Sequence, residues 1–150
     1  MSQPVFVDAS AWVAITNRKD TNHKKAVQIL RRLLGSSTRL IATTWTAYEA
    51  LTIIKSRLGI SQAEHLWDRF QARTLVDLVW IDQKIERDAL DLFWRYRDKT
   101  WGVVDCSSLA IMQDLECRYV FAYDRHFIEA SRQFGLPSLK GKVRISTRQI

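Results

Sequence analysis

The chain has 150 residues, of which 47% are hydrophobic and 26% charged, with only five glycines and two prolines. That balance describes one globular domain spanning residues 1–150 and excludes a low-complexity or disordered chain. A net charge of +7, from 23 basic and 16 acidic side chains, directs attention to polyanionic partners such as nucleic acid, with a plain soluble basic protein as the alternative.

The charge is unevenly placed. Residues 1–60 carry a net +6, residues 61–130 a net −4, and residues 131–150 a net +5. No apolar stretch approaches the ~20 residues of a membrane span. The apolar run after Pro4 has no basic residues before it and contains Asp8, unlike a secretory signal. Cys106 and Cys117 fall at the two ends of one expected helix. At about 1.5 Å per residue they stand roughly 16 Å apart, too far for a disulfide. Reduced thiols and a cytoplasmic location are the expectation.

In chain order, Val5-Phe6-Val7 is a short β-prone run ending in Asp8, and a helix follows from Ala9. Asp8 there is either a helix cap or a ligand. Asp20 is a plausible cap for the next helix, whose inner face carries Ala26, Ile29, Leu30, Leu33 and Leu34 and which Gly35 stops. Leu40-Ile41-Ala42 reads as the second strand, with Thr43 or Thr44 capping the helix after it. Glu49 lies about one and a half turns into that helix. It either closes a capping box with Thr46 or points to the same sheet edge as Asp8. Gly59 ends the helix as a left-handed glycine, and Ser61 to Glu64 reads as a further capping box.

Leu75 to Ile81 is the third expected strand, interrupted by Asp77. Ile85, Ala89, Leu92, Phe93 and Tyr96 then form one helical stripe. The charges on its other face, Lys84, Glu86, Arg87, Asp88 and Asp91, are a solvated surface. Asp105 follows Val103-Val104 and opens a helix from Cys106 to Glu116 that is apolar all round near its start, hence buried. A carboxylate at the mouth of a buried helix needs a partner, a metal, or the helix N-terminus itself. Tyr119 to Tyr123 is the next strand, closed by Asp124, and Val143-Arg144-Ile145 adds a last edge strand. Strands alternating with helices argue for a parallel sheet covered on both faces.

Asp8, Asp105 and Asp124 all follow strands or open helices, and Glu49 lies early in a helix after a strand. In an open parallel sheet those addresses converge beyond the carboxyl ends of the strands. Four close carboxylates repel and raise one another's pKa values. A hard divalent cation removes the problem; one ion leaves a net −2 and two leave zero. Without those four acids the chain holds 23 basic and 12 acidic side chains, an acidic pocket in a basic body. That combination suits a metal-dependent enzyme acting on a polyanion.

The segments VFVDAS, TAYEA, VVDCSSLAIM and FAYDRHF, in this order and spacing, resemble the four acidic motifs of PIN-domain ribonucleases, and among them the VapC-type toxins of toxin–antitoxin pairs. The resemblance runs from Val5 to about Leu136. It implies a PIN-like α/β fold, a doubly wound sheet of about five mostly parallel strands with helices on both faces. It implies a metal site of Asp8, Glu49, Asp105 and Asp124 holding Mg²⁺ or Mn²⁺, with Ser10 as the nearby hydroxyl that holds a metal-bound water or only caps its helix. Cleavage of RNA, a homodimer and an inhibitory antitoxin are implied as well. Asp124 occupies the least uniform of the family's acidic positions, and the basic end from Lys140 to Ile150 matches no motif.

His126 is expected to hold its turn rather than touch substrate, and His23 and His65 have no assigned role. No His/Cys cluster has zinc-ligand spacing. Trp12, Trp45 and Trp101 lie near the motifs, and packing is favoured over base stacking for each. Rival functions are a nuclease of RNA processing without a toxin role, a non-catalytic RNA-binding module, an aspartate-nucleophile phosphatase and a phospho-receiver. The phosphatase needs an acid where Ser10 stands. The receiver needs a downstream lysine motif to accompany Asp82.

Overall fold

A computed structural model describes residues 3–135. The elements are β1 (Val5–Val7), α1 (Ala9–Thr16), α2 (His23–Gly35), β2 (Leu40–Thr43), α3 (Thr44–Leu58), α4 (Ile60–Gln71), β3 (Asp77–Val79), α5 (Gln83–Arg95), α6 (Val103–Asp114), β4 (Tyr119–Phe121) and α7 (Arg125–Gln133). The strands form one sheet in the order β3-β2-β1-β4, with every neighbouring pair parallel. Four strands are therefore described where about five are expected; the expected edge strand at Val143-Arg144-Ile145 lies outside the described residues.

Strands β1, β2 and β4 are mostly apolar without alternation because both faces of the sheet are covered. Val5, Val7, Leu40, Ala42 and Phe121 pack with α1 to α4. Phe6, Ile41, Val120 and Ala122 pack with α5, α6 and α7. On the first face Trp12 is fully buried and meets Phe70 edge to face, ring centroids 4.9 Å apart. Burial and edge-on geometry make such a pair a strong core anchor.

The chain order of the strands fixes where a site can form. From β1 the chain steps outward through β2 to β3, then crosses back to β4 on the other side of β1. The direction of winding reverses between β1 and β4, the crevice in which open parallel sheets bind ligands.

Several local expectations need correction. Val103 and Val104 do not precede the helix: they form the first turn of α6, whose N-cap is Gly102. The helix therefore runs Val103–Asp114 rather than Cys106 to Glu116. The third strand is only Asp77–Val79, and Asp77 opens it, accepting from Arg39 Nε. Helix α2 is capped at Asn22, and Asp20 instead accepts from the Asn22 N–H at 2.8 Å, shaping the turn before it. Ser61 is no cap, because Gly59 alone separates α3 from α4 and Ile60 is already helical. Gly59 has the expected positive φ, +97°, but an extended ψ of 168°, a combination open to glycine. Both cysteines are buried free thiols. Among the described residues no helix is long and apolar enough to cross a membrane.

Candidate metal centre at the carboxyl edge of the sheet

Three aspartates sit at helix starts on this edge, and each uses a carboxylate oxygen to satisfy a backbone donor. Asp8, at the end of β1, is the N-cap of α1 and accepts from the Ser10 N–H at 3.1 Å. Asp124, beyond β4, is the N-cap of α7 and accepts from the Phe127 N–H at 3.0 Å. Asp105 stands in the first turn of α6, and its Oδ2 accepts from the Gly102 N–H at 3.0 Å. Asp105 thus performs the backward half of a capping box, while Gly102 has no side chain to perform the other half. Capping consumes one oxygen each of Asp105 and Asp124; the second oxygen of each makes no hydrogen bond among the described residues. Capping and cation binding are compatible roles for these two.

Glu49 has no such duty. The cap of α3 is Thr43, which accepts from the Thr46 N–H at 3.1 Å. Thr46 is therefore inside the helix, and the capping-box alternative for Glu49 does not hold. Glu49 makes no hydrogen bond or ion pair among the described residues.

Three of the four carboxylates are raised, in part by their neighbours. The Asp8 carboxyl is raised first by burial and then by the charge of Asp124, against two lowering bonds from Ser10. Asp105 is pushed up to about 6, by burial first and also by Asp8 and Asp124. Glu49 is accessible to solvent, yet partial desolvation of its carboxyl and the charges of Asp8, Asp105 and Asp124 push it up to about 7. Asp8, Glu49 and Asp105 are thus each raised, by burial first and also by neighbouring carboxylates, as expected of acids clustered at one site. The four do not form a closed cage: among the described residues no three His, Cys, Asp or Glu side chains stand in metal-ligand geometry. The donors are nevertheless all carboxylate oxygens, the chemistry that Mg²⁺ and Mn²⁺ prefer and that a zinc site does not.

Ser10 is the pin of the arrangement. Its hydroxyl donates to Asp8 Oδ2 at 2.6 Å and accepts from the N–H groups of Tyr123 at 2.9 Å and Asp124 at 3.1 Å. One donor and two lone pairs exhaust a hydroxyl, so in this arrangement none is left to hold a water. What it does is tie the end of β1 to the exit of β4 across the crevice.

A second tie was not visible in the sequence. The hydroxyls of Thr43, Thr46 and Ser108 form a buried chain, with steps of 3.0 and 3.2 Å, and Ser108 donates on to the Val104 carbonyl at 3.1 Å. It joins the start of α3, which carries Glu49, to the start of α6, which carries Asp105. Runs of Thr and Ser at helix starts read as caps; only tertiary packing reveals that they bond to each other. His126 is exposed and its Nδ1 lies 3.0 Å from Thr100 Oγ1, a contact between the first turn of α7 and the segment before α6. Trp12 and Trp101 are buried and Trp45 is half-buried, so packing prevails over base stacking for the first two.

An α/β sheet with its reversal beside β1 and a cluster of carboxylates at that reversal defines a class, and the family model described as the PIN domain matches residues 5–133. The chain belongs to the PIN domain family. It is 26% identical over 127 residues to the 23S rRNA-specific endonuclease VapC20 of Mycobacterium tuberculosis, a match to each of two strains' proteins that covers 84% of this chain and 93% of the relative. The crystal structure of Mycobacterium tuberculosis VapC20, described as a sarcin-ricin loop cleaving toxin, superposes with a TM-score of 0.75 at 24% identity, covering 84% of this chain and 94% of that one. The structural likeness carries the fold.

Proposed function

We propose that the chain is a divalent-metal-dependent endoribonuclease, a single PIN nuclease domain acting as the toxin of a toxin–antitoxin pair. One observation carries the proposal: four carboxylates gather at the crevice between β1 and β4, with Asp8, Glu49 and Asp105 raised and no Lys or Arg paired to any of the four among the described residues. Asp8, Glu49, Asp105 and Asp124 would hold Mg²⁺ or Mn²⁺. When bound, the ion lowers the pKa of water and stabilises charge developing on a phosphate. The chain's own part is to present these oxygens from separate elements. Asp8 is fixed by burial and by Ser10, Asp105 by the Gly102 N–H, and Asp124 by the first turn of α7. Glu49 is untied and free to adjust. Ser10 is a positioning residue, holding Asp8 and Asp124 in register.

The relatives' specificity for 23S rRNA makes it the first substrate to test. A cytoplasmic location accords with that target. A homodimer and an antitoxin are the proposed protein partners. The exposed Tyr48 and Ile60, with the partly buried Leu51 and Trp67 beside them on α3 and α4, supply apolar surface for such contacts. Incubating the protein with ribosomal RNA in Mg²⁺, Mn²⁺ or excess chelator tests the proposal. Discrete cleavage with either metal and none with chelator is expected. Undiminished cleavage in chelator would rule out the metal mechanism.

A further inference from the structure

One cavity lies away from the acidic edge and has the opposite charge. It is about 770 Å³ in volume and opens between the α1–α2 connection, the end of α3 and the outer turns of α4. Arg18, Lys19, Arg57 and Arg69 line it, with His23 and His65, and no Asp or Glu does. None of the four Arg and Lys side chains takes part in an ion pair among the described residues. Helix-dipole compensation accounts for Arg57 and Arg69, which stand in the last turns of α3 and α4. It does not account for Arg18, Lys19 and His23, which reach the same space from the other wall.

That wall is built. Asn17 Oδ1 accepts from the Lys19 N–H at 3.0 Å, Asp20 Oδ1 from the Asn22 N–H at 2.8 Å, and His23 Nδ1 donates to the Ala14 carbonyl at 2.8 Å. Two helices also lead from the acidic edge to the cavity. α1 runs from Asp8 to Thr16 and α3 carries Glu49 and then Arg57, and the two helices pack together. Each span is eight residues, about 12 Å at roughly 1.5 Å per residue. A stacked strand rising about 3.4 Å per nucleotide covers that distance in about four nucleotides.

We infer that this basic cavity is a second RNA-binding site, which captures backbone phosphates about four nucleotides from the bond presented to the carboxylates. The inference rests on the nuclease reading and adds the path of the substrate. Opposite charges at the two ends of α1 and α3 divide the work. Phosphates are repelled by the metal-free acidic edge and held at the basic cavity, so the cavity supplies the affinity that the catalytic edge cannot.

The test is a binding measurement in chelator, where cleavage plays no part. Fluorescently labelled 20-nucleotide oligouridylate is titrated with the parent, with Arg18→Gln/Arg57→Gln/Arg69→Gln, and with the control Lys24→Gln/Lys25→Gln/Arg31→Gln on the exposed face of α2, at several salt concentrations. All six positions are exposed, and circular dichroism checks that each variant is folded. The cavity variant is expected to bind at least ~10-fold more weakly at low salt and to lose about 2 from the log–log salt slope, at roughly 0.7 per phosphate contact. The control should lose much less. Equal losses in both variants would show net charge rather than a site, and an unchanged slope in the cavity variant would overturn the inference. So would a cavity variant that keeps RNA but loses binding of poly-glutamate, since the site would then serve an acidic protein. Because binding is read without cleavage, a parent that binds through the cavity but cuts no RNA would refute the nuclease reading and leave the phosphate site standing.

Discussion

Two acidic regions of this molecule use the same residue types to opposite ends. On the α5–α6 surface, Lys84 lies 3.1 Å from both Asp88 and Asp114. The cation raised by its two carboxylates is itself part of the chain. At the β1/β4 crevice, Asp8, Glu49 and Asp105 are raised by burial and by neighbouring carboxylates, and no Lys or Arg is paired with them or with Asp124 among the described residues. A surface pair that carries its own counter-charge contributes little and asks for nothing. A cluster without one is held at an energetic disadvantage by the surrounding fold, and that disadvantage disappears when a cation arrives. The difference separates acids that serve the surface from acids that serve chemistry.

The sharpest way to break the comparison is to neutralise one acid of the crevice. Asp8→Asn and Glu49→Gln should each lower RNA cleavage at least ~100-fold, since the metal's contribution is several kcal/mol and about 1.4 kcal/mol is tenfold in rate. Single-turnover cleavage of ribosomal RNA measures it. A rate within a few-fold of the parent for either variant would remove that acid from the site.

Ser10→Ala removes the pin rather than a ligand. Two backbone N–H groups and Asp8 lose their partner at once, so denaturant unfolding should show a loss of about 1–3 kcal/mol. Cleavage should fall by roughly tenfold through displaced ligands. Stability equal to the parent would show that the hydroxyl bonds are replaceable.

The pH dependence sharpens the contrast further. Glu49 rises from 4.5 to about 7 and Asp105 from 3.8 to about 6. Their folded pKa values exceed the unfolded ones, so the folded chain binds more protons between those limits. In chelator the protein should therefore gain stability as pH falls from about 8 to about 5 and lose it as pH rises through 6 and 7. Glu49→Gln/Asp105→Asn should flatten that part of the curve, and saturating Mn²⁺ should stabilise the parent most at high pH, where the acids are ionised. Parallel curves for parent and double variant would deny the coupling.

The smallest effect belongs to the other region. Lys84→Ala should leave cleavage at the parental rate and move the melting temperature by no more than about 2 °C. A large loss of activity would mean that the α5–α6 surface is not the inert half of the comparison.

Much of this was legible in the chain because its signals are local. Val5-Phe6-Val7 and Leu40-Ile41-Ala42 are apolar on both faces and read directly as buried parallel strands. Asp8 and Asp124 stand where strands hand over to helices, so their shared edge followed from the alternation. What was not legible depends on side chains meeting from distant segments. Val103-Val104 is short, apolar and β-branched, yet it is the first turn of α6. Ser61 and Asp20 are good caps by type, but Gly59 as N-cap starts α4 two residues early and Asp20 shapes the preceding turn instead. The Ser10 bridge spans 113 residues to Tyr123, and the Thr46–Ser108 bond spans 62; no spacing rule reaches that far.

The most direct test of the central claim is calorimetric titration of Mn²⁺ into metal-free parent and Asp105→Asn, with the melting temperature of each taken in chelator. Asparagine can still accept from the Gly102 N–H and keep the first turn of α6, so capping survives while the charge is lost. The account predicts saturable Mn²⁺ binding by the parent, binding at least ~10-fold weaker in the variant, and a metal-free melting temperature equal to or above the parent's because one repelling carboxylate is gone. A folded Asp105→Asn protein that binds Mn²⁺ as the parent does and cleaves RNA at the parental rate would contradict it.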